Sequence, residues 1–385
     1  MRVAVVHNMK VGGALRTLEQ HLAHCTFEWR EFRLSTAAPL ADDADVTRHV
    51  VRAERVHRAL RPPLRYADLL ALVAAWRRVN ERVNDYAPDV VLCHSCQFLQ
   101  TPPLLSWTPS PTLYFCHEPR RVDYEQEAAS TRNTRTRALY APLHALERRF
   151  DRDAARSATA LITNSAYTAT TIRAAYGREA RPVPFGVNEI FTPAQTPAPP
   201  RHVLSVGALV ASKGHDLVIE AAARTTRGWP VVVVAPRADP HEEARLERAA
   251  RKLDVALDLR VGISDEELRE LYRTAVATCY LARREPLGLV SVEAQASGCP
   301  VIVADEGGLP ETLVDGETGW AVAREADVVA RRLDELAEDG ARRQAMARAA
   351  AAYGGKASWA RAAAAVETSL RELATTPNVP LAAAA

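Results

Sequence analysis

Long apolar runs and the common nucleotide-binding fingerprints are both missing from this sequence. No apolar run reaches the roughly 18 residues needed to cross a bilayer, and the amino terminus reads as a strand instead of a signal peptide. We therefore expect a cytoplasmic protein. The stretches VGALVASKG (206–214) and VGGALR (11–16) match neither the phosphate loop G-x-x-x-x-G-K-[ST] nor the dinucleotide motif G-x-G-x-x-G. The sequence therefore contains no motif that supports P-loop nucleotide hydrolysis or dinucleotide binding.

Cysteine and lysine are scarce. The six cysteines lie mostly in or beside apolar, strand-like runs, which indicates buried and reduced thiols. The stretch CHSC (93–96) has redox-like or zinc-like spacing, but no second Cys/His pair follows at zinc-site spacing. The lysines are Lys10, Lys213, Lys252 and Lys356 against a large excess of arginine. This scarcity makes Lys213, which follows a predicted strand, conspicuous.

Composition and length indicate two α/β domains. The chain has 385 residues, of which 48% are hydrophobic and 25% charged, so two sizeable cores can form. Short apolar runs alternate with helical patterns, as in parallel βαβ units. The first half is net basic and the second half net acidic. A basic first half suits an anionic ligand or a membrane surface.

The domain boundaries follow from these patterns. We predict a Rossmann-like domain over 1–190, a Pro-rich linker over 191–200 and a second Rossmann-like domain over 201–356. A terminal amphipathic helix is predicted over 357–374 and a disordered tail over 375–385. In the first domain, His94, His117 and the pair Asn164–Ser165 end predicted strands. Since carboxyl ends of strands face the ligand crevice in open α/β sheets, these residues are candidates for a binding site.

Two glycines and one lysine predict a phosphate site that lacks the usual motif. Gly12 and Gly13 lie where a strand turns into a helix, so bare backbone N–H groups and the positive helix end can face an anion. Lys213 precedes a helix of the second domain and can add a full positive charge.

The stretch EPLGLVSVEAQASGCPVIVADEGGLPE (285–311) carries two glutamates eight positions apart. Glu285 comes just before a predicted helix, and Glu293 lies inside that apolar helix. The Pro-Leu-Gly break between them opens the helix. The Gly307–Gly308 pair is predicted to lie directly after the following strand.

Several motifs together resemble glycosyltransferase family 4. The carboxyl-terminal half contains, in order, VGALVASKGHDLVIEA, VGISDEELRELYRTAVA, EPLGLVSVEAQASGCPVI and GGLPETLVDGETGW. The first half adds GGALR, YFCHEPRR, LITNSAYTATTIRAAYG and VPFGVNEIF. The resemblance implies the GT-B fold: two Rossmann-like domains face each other across a cleft, and a C-terminal helix returns to the first domain. It also implies retaining, metal-independent transfer of a hexosyl unit from a UDP- or GDP-linked sugar, with no cofactor.

The resemblance also assigns roles to the glutamates and their surroundings. Glu293 would hold the ribose, and Glu285 would lie against the transferred sugar, since a carboxylate accepts hydrogen bonds from both members of a diol. Lys213 would neutralise the leaving diphosphate. At the start of the predicted helix, the backbone N–H groups of Leu287, Gly288 and Leu289 can face the pyrophosphate or the sugar hydroxyls of the donor.

Further roles come from the same resemblance, with one departure. His117 matches the histidine that contacts the transferred sugar, and Val261 and Gly262 match the loop that reads the base. Where the family carries an arginine, five residues before the lysine, this chain has Ala208. The residues that could supply the second charge are Arg283, Arg284 and Arg16, of which Arg284 is favoured because it adjoins Glu285.

Two other function classes stay open at this point. Paired carboxylates also occur in glycoside hydrolases, but those pairs flank the scissile bond without a diphosphate site. A nucleotide-sugar epimerase or binding protein would use the same scaffold without transfer.

The acceptor is predicted only by class: a glycan, a lipid-linked or a small-molecule hydroxyl, and no nucleic acid. A basic face at Arg52, Arg55, Arg58, Arg61 and Arg65, helical as far as the Pro62–Pro63 break, would suit anionic lipid or a phosphorylated acceptor. Peripheral membrane association is therefore one expectation.

Overall fold

The chain folds into two compact units. The computed structural model describes residues 1–52, 61–121, 134–196 and 198–375. Unit 1 comprises 1–183 together with the segment from Ala362 onward, and unit 2 comprises Pro184–Arg361. The division after Val183 precedes the predicted linker, and the described residues of that segment pack on unit 2. Phe191 is buried in its core, and the guanidinium of Arg273 donates to the Thr192 carbonyl oxygen at 2.8 Å.

Unit 1 is built on a seven-stranded parallel sheet with strand order β3-β2-β1-β4-β5-β6-β7. Its valine-rich and leucine-rich strands are buried on both faces, as expected for a parallel sheet covered by helices. The strands are β1 Arg2–Asn8, β2 Glu28–Leu34, β3 Asp45–Thr47, β4 Val90–Cys96, β5 Thr112–Phe115, β6 Ala160–Thr163 and β7 Arg181–Pro182.

Helices cover both faces of this sheet. Alternation along β1 sends Val3 and Val5 into one buried cluster and Ala4 and Val6 into the other. The helices are Gly13–Ala23, Arg61–Tyr86, Thr134–Ser157, Ala166–Tyr176 and the terminal helix Trp359–Ala374, with a 3₁₀ turn at Pro103–Ser106.

Unit 2 contains a six-stranded parallel sheet with strand order β10-β9-β8-β11-β12-β13. The strands are β8 His202–Val206, β9 Val231–Ala235, β10 Leu257–Val261, β11 Ala275–Tyr280, β12 Val301–Ala304 and β13 Gly319–Val322. The helices are His215–Arg224, Pro240–Lys252, Asp265–Thr274, Leu289–Ala296, Ala326–Glu338 and Gly340–Gly354, with 3₁₀ turns at Ala211–Lys213 and Leu309–Thr312. The predicted pair of Rossmann-like α/β domains, each with a parallel sheet, is therefore confirmed.

One local prediction was wrong. The Pro62–Pro63 pair was expected to end a helix, but the helix Arg61–Tyr86 begins at Arg61 and contains both prolines in its first turn. Proline is tolerated there because the first helical N–H groups have no partner within the helix. Arg55 and Arg58 of the predicted basic face lie outside the described residues, as does the tail after residue 375. No helix in the described part of the chain is long and apolar enough to cross a membrane.

Candidate active site

The strand order of unit 2 creates a crevice at one position of the sheet. The chain runs outward from β8 through β9 to β10, then returns to place β11 on the other side of β8. The loops after β8 and β11 therefore leave in opposite directions. In open parallel sheets, ligands bind outside the carboxyl ends of the strands at such a switch point. Lys213 follows β8 and Glu285 follows β11, so both predicted residues lie at this point.

Lys213 and Glu285 are in direct contact. The ammonium Nζ of Lys213 lies 2.7 Å from Oε2 of Glu285 and donates to the hydroxyl of Tyr280 at 3.0 Å. The same ammonium lies 5.4 Å from the centre of the Tyr280 ring. Both members of the ion pair keep about a fifth of their side chains exposed (19% and 18%). A cation and a carboxylate are thus held together within reach of a solute.

The loop that carries Lys213 is fixed by a buried histidine. The two ring nitrogens of His215 contact Oγ of Ser205 at 2.8 Å and the carbonyl oxygen of Ala208 at 3.2 Å. Burial lowers the pKa of His215, so it acts as a neutral bridge between β8 and its loop. Gly214 has φ +73°, and a Cβ there would meet the Leu281 carbonyl oxygen at 2.5 Å. Glycine at 214 therefore lets the two loops of the switch point touch.

Backbone contacts join the β8 and β11 loops and fix the loop of Glu285. The N–H of Arg283 donates to the carbonyl oxygen of Ser212 at 2.8 Å, next to Lys213. Behind the loop, the N–H of Gly308 donates to the Glu285 carbonyl oxygen at 2.7 Å. A Cβ on Gly307 would come within 2.5 Å of that same oxygen. The Gly307–Gly308 pair therefore packs against the backbone of the Glu285 loop and supports it.

Glu293 occupies a different environment from Glu285. It lies in the buried helix Leu289–Ala296, is 8% exposed, and accepts from the hydroxyl of Tyr272 at 3.4 Å. Burial, and then the neighbouring Glu293, raise the pKa of Tyr272, so its hydroxyl stays protonated and can donate. The helix begins after Gly288, whose φ is +99°. The N–H groups of Leu289 and Val290, the first two of this helix, have no intrahelical partner to donate to, whereas the N–H of Ser291 donates to the Gly288 carbonyl oxygen at 3.0 Å.

The position of the missing arginine is exposed. Ala208 lies in the loop after β8, and its carbonyl oxygen is used by His215. Arg283 and Arg284 are both exposed and directly precede Glu285, and Arg284 has φ +45°. A positive φ is costly for a residue with a Cβ, so the loop holds Arg284 in an unusual conformation. Arg284 and Arg283 remain the predicted second charge of unit 2.

Val261 and Gly262 lie where the sequence placed them, at the carboxyl end of β10. Val261 is 40% exposed, and Gly262 has φ +65° with its N–H donating to the Ala235 carbonyl oxygen at 2.9 Å. The loop therefore presents backbone and a small apolar side chain, which suits a flat, apolar ring more than a charge.

In unit 1, the glycine pair opens the first helix. Gly12 is the N-cap of Gly13–Ala23, and no atom lies within 4 Å of a Cβ built on either glycine. The backbone of Gly12 is extended (φ 165°), a conformation open to any residue. Neither backbone strain nor packing within the described residues requires glycine at these positions.

Histidines at the carboxyl ends of β4 and β5 meet. Nδ1 of His94 lies 3.1 Å from Nε2 of His117, and both rings stack on Phe115, at 5.1 and 4.5 Å between centroids. Burial, and then His21, lower the pKa of His117 to about 3. The side chain of Asn164 donates to the His117 carbonyl oxygen at 3.4 Å. His117 is therefore neutral at physiological pH and acts through hydrogen bonds instead of charge.

Sequence reasoning missed the residues that hold the predicted ones. Tyr280, Tyr272 and His215 each contact or fix a predicted residue. Tyr280 and Tyr272 read as apolar core positions in their strand and helix, and only the fold shows where their hydroxyls point. For His215, its place directly after the lysine loop was an available signal.

Two family models match consecutive parts of the chain. The model described as "Glycosyltransferase Family 4" matches residues 20–189, and the model described as "Glycosyl transferases group 1" matches residues 187–353. The chain is 34% identical over 211 residues to a D-inositol 3-phosphate glycosyltransferase of Acidothermus cellulolyticus, covering 47% of each chain. The aligned chain thus spans about half the length of such a curated relative.

Solved structures share the whole fold. Sucrose-phosphate synthase from Thermosynechococcus elongatus superposes with a TM-score of 0.73 at 19% identity, covering 97% of this chain and 99% of that one. The Anabaena protein HepE, solved in complex with UDP, gives a TM-score of 0.73 at 16% identity, covering 97% and 100%. At these identities the likeness concerns the fold alone.

Proposed function

Because the chain belongs to the group 1 glycosyltransferases of family 4, we propose that it transfers a hexosyl unit from a nucleotide-diphosphate sugar to an acceptor hydroxyl. The donor would be UDP- or GDP-linked, and the anomeric configuration would be retained. The observation that carries the proposal is the contact between Lys213 and Glu285 at the switch point of unit 2. A cation and a hydroxyl-accepting carboxylate side by side suit a ligand with both phosphate and sugar groups.

The ion pair between Lys213 and Glu285 also supports a model for donor binding. In the described structure the ammonium of Lys213 already has an anionic partner, Glu285. A diphosphate carries more negative charge than one carboxylate, so it would draw the ammonium toward itself. Glu285 would then be released to accept hydrogen bonds from the sugar. Donor binding would thus exchange one ion pair for another, which limits the desolvation cost.

The remaining donor groups follow from the helix that begins after Gly288. The N–H groups of Leu289 and Val290, with those of Leu287 and Gly288, would face the pyrophosphate or the sugar hydroxyls. Glu293, held by Tyr272, would accept from the ribose hydroxyls. Val261 and Gly262 would lie against the base. Arg284 is proposed as the second cation, in place of the arginine absent at 208.

Departure of the nucleoside diphosphate is the step that needs stabilisation. Negative charge develops on the leaving oxygen, and Lys213 with the helix start would stabilise it. These fixed charges support transfer that does not depend on a metal ion, and addition of a chelator should leave the rate unchanged. His117, being neutral, would hydrogen-bond the transferred sugar. Gly12 and Gly13 would give the donor phosphates backbone N–H groups.

The acceptor is proposed as a glycan, a lipid-linked or a small-molecule hydroxyl. Relatives named D-inositol 3-phosphate glycosyltransferase support a small polyol among these classes. We propose no covalent enzyme nucleophile: the acceptor would attack on the face that the diphosphate leaves, and a diphosphate oxygen would take the acceptor's proton.

A variant panel tests the proposal. Lys213→Gln should lower turnover by about 100-fold, since a charged group facing developing charge contributes about 3 kcal/mol to the transition state. Glu293→Gln should weaken donor binding by about tenfold, because one oxygen that accepts ribose hydrogen bonds becomes a donor. Acceptor-dependent release of nucleoside diphosphate measures the first effect, and calorimetric titration with UDP and GDP sugars measures the second.

Glu317→Gln is the matched control, since Glu317 is an exposed carboxylate of the same unit. It should leave both quantities unchanged. Unchanged turnover in Lys213→Gln together with unchanged donor affinity in Glu293→Gln would contradict the proposal. Nucleoside diphosphate release that needs no acceptor would instead favour an epimerase-like protein on this fold.

A further inference from the structure

A basic pocket lies in unit 1, apart from the residues assigned so far. It has a volume of about 480 Å³ and is lined by Arg48, His49, Val50, Arg52, Ala71 and Arg78. Three of these six residues are arginines, and all three are exposed. Arg48 and Arg52 come from the segment after β3, whereas Arg78 comes from the helix Arg61–Tyr86. Two separate elements therefore aim positive charge at one concavity.

No carboxylate in the described part of the chain pairs with these guanidinium groups. On the same helix, the exposed Glu81 lies one turn after Arg78, and the buried Asp68 accepts from the backbone N–H of Arg52 with both oxygens at 3.0 Å. By contrast, Arg82, one helical turn after Arg78, is paired with Asp45 at 2.7 Å. Unlike Arg82, the three pocket arginines therefore form no ion pair with a carboxylate of the described residues.

The buried part of the pocket lining is His49, an uncharged ring held by neighbouring groups. His49 is 7% exposed, its N–H donates to Oγ of Ser35 at 2.9 Å, and its ring meets Phe98 edge-on at 5.6 Å. Burial lowers the pKa of His49, and the nearby Arg78 lowers it further, whereas Asp68 opposes both. His49 therefore faces the pocket as a neutral ring. Asp68 and the exposed Glu81 offset the mutual repulsion of the three arginines only in part, so an anion would stabilise the arrangement.

The pocket lies at the carboxyl edge of the sheet of unit 1. Arg48 directly follows β3, and Phe98 follows β4, as His117 follows β5. Parallel strands end at the same edge, so an anion in the pocket is on the same side of the sheet as His117. Because β2, β1 and β4 lie between β3 and β5, only a long acceptor could reach from the arginines to the histidine.

We propose that this pocket binds a phosphate monoester carried by the acceptor, with Arg48, Arg52 and Arg78 as its ligands. Guanidinium groups match phosphate oxygens in paired hydrogen bonds, and several together select a doubly charged group over a neutral sugar. The inference rests on the proposed transfer and narrows its acceptor to phosphorylated molecules. The phosphate can belong to a soluble polyol phosphate or to a lipid headgroup.

The test is calorimetric titration of the full chain with glycerol 3-phosphate, and with glycerol as the uncharged probe. The phosphate ester should bind and glycerol should not. The double variant Arg48→Gln/Arg78→Gln should weaken binding by about tenfold or more, since each hydrogen bond to a charged group is worth over 1 kcal/mol. Lys213→Gln should leave this binding unchanged, because its charge belongs to the proposed donor site.

Arg149→Gln is the control for loss of an exposed arginine in unit 1, since Arg149 lies outside the pocket and pairs with Asp153 at 3.5 Å. It should bind glycerol 3-phosphate as the wild type does. Unchanged binding in the double variant, or loss of binding in Lys213→Gln, would overturn the inference. UDP titration of the same proteins separates the hypotheses: UDP binding without any glycerol 3-phosphate binding refutes the pocket and leaves the proposed function standing.

Vesicles distinguish the source of the phosphate. Phosphatidic acid presents a phosphate monoester, so cosedimentation with phosphatidylcholine vesicles that contain it, lost in the double variant and kept in Arg149→Gln, assigns the pocket to a lipid headgroup. Binding of glycerol 3-phosphate without such cosedimentation assigns it to a soluble acceptor. Binding of neither ligand refutes the inference.

Discussion

Gly13 is a residue whose identity the described fold alone does not explain. It is the first residue of the helix Gly13–Ala23, where glycine lowers helix stability, and a Cβ there would meet nothing within 4 Å. Other glycines of the chain have evident reasons, such as the positive φ of Gly214. Since Gly13 also follows a strand of the predicted donor site, we expect a ligand to approach its backbone.

Replacing Gly13 by alanine should therefore separate stability from function. We expect Gly13→Ala to raise the free energy of unfolding by up to about 0.5–1 kcal/mol, because the unfolded chain loses freedom. The same methyl group should obstruct the donor phosphates and lower turnover by about tenfold or more, since a small misplacement of substrate costs rate heavily. Chemical denaturation and nucleoside diphosphate release measure the two effects.

Gly340→Ala is the matched control for this variant. Gly340 also begins a helix, Gly340–Gly354, and a Cβ there would make only an ordinary contact at 3.9 Å with Arg343. It should gain similar stability without losing turnover. Full turnover in Gly13→Ala would remove the glycine pair from the donor site.

Single residues differ in how far the sequence predicted them. Lys213 and Glu285 were predicted from separate motifs, and their contact at 2.7 Å agrees with a shared ligand although their roles stay predictions. Tyr280 could not be predicted, because its hydroxyl reaches Lys213 only once β11 lies beside β8. Long-range partners of this kind depend on sheet order, which local patterns do not contain.

At the scale of elements, the loop of Glu285 is positioned by a second loop. Gly307 and Gly308, after β12, support its backbone through one hydrogen bond and a close approach. Hydrophobic periodicity predicted the alternation of strands and helices around these loops, including the apolar helix that contains Glu293. It failed at Pro62–Pro63, where a proline signal fits both the end and the start of a helix. Such patterns could not predict that the loop of Gly307 and Gly308 supports the loop of Glu285.

Gly307→Ala tests this support. Gly307 has φ +71°, and a Cβ would come within 2.7 Å of the Glu285 backbone nitrogen, so the Glu285 loop has to move. We expect a loss of stability of more than about 1 kcal/mol, the strain of a left-handed residue alone, with a loss of turnover of about tenfold or more as Glu285 shifts. Thermal unfolding and the release assay measure them.

Gly316→Ala isolates the strain, since Gly316 has φ +78° but nothing within 4 Å of its Cβ. It should lose only the strain energy and keep its turnover. Equal losses of stability in both variants, with turnover retained in both, would show that the Gly307 contact does not position Glu285.

At the scale of the whole molecule, the chain leaves unit 1, forms unit 2 and returns. The terminal helix Trp359–Ala374 supplies Leu370, fully buried among the core side chains of unit 1. Its Glu367 also accepts from the backbone N–H of Thr26 at 3.1 Å. The carboxyl-terminal residues therefore contribute to the stability of the amino-terminal fold, whereas the proposed Lys213 and Glu293 contacts lie in unit 2.

This arrangement predicts two unfolding transitions that respond to different changes. Leu370→Ala leaves a cavity in unit 1 and should cost about 2–5 kcal/mol in its transition alone. UDP at 100 times its dissociation constant contributes about 2.7 kcal/mol, and it should act mainly on the unit 2 transition, where Lys213 and Glu293 lie, in the variant as in the wild type. Differential scanning calorimetry measures both. Thr368→Ala, an exposed position on the same helix, should change neither. If Leu370→Ala instead lowers the UDP-sensitive transition, the terminal helix stabilises unit 2, and its assignment to the core of unit 1 is wrong.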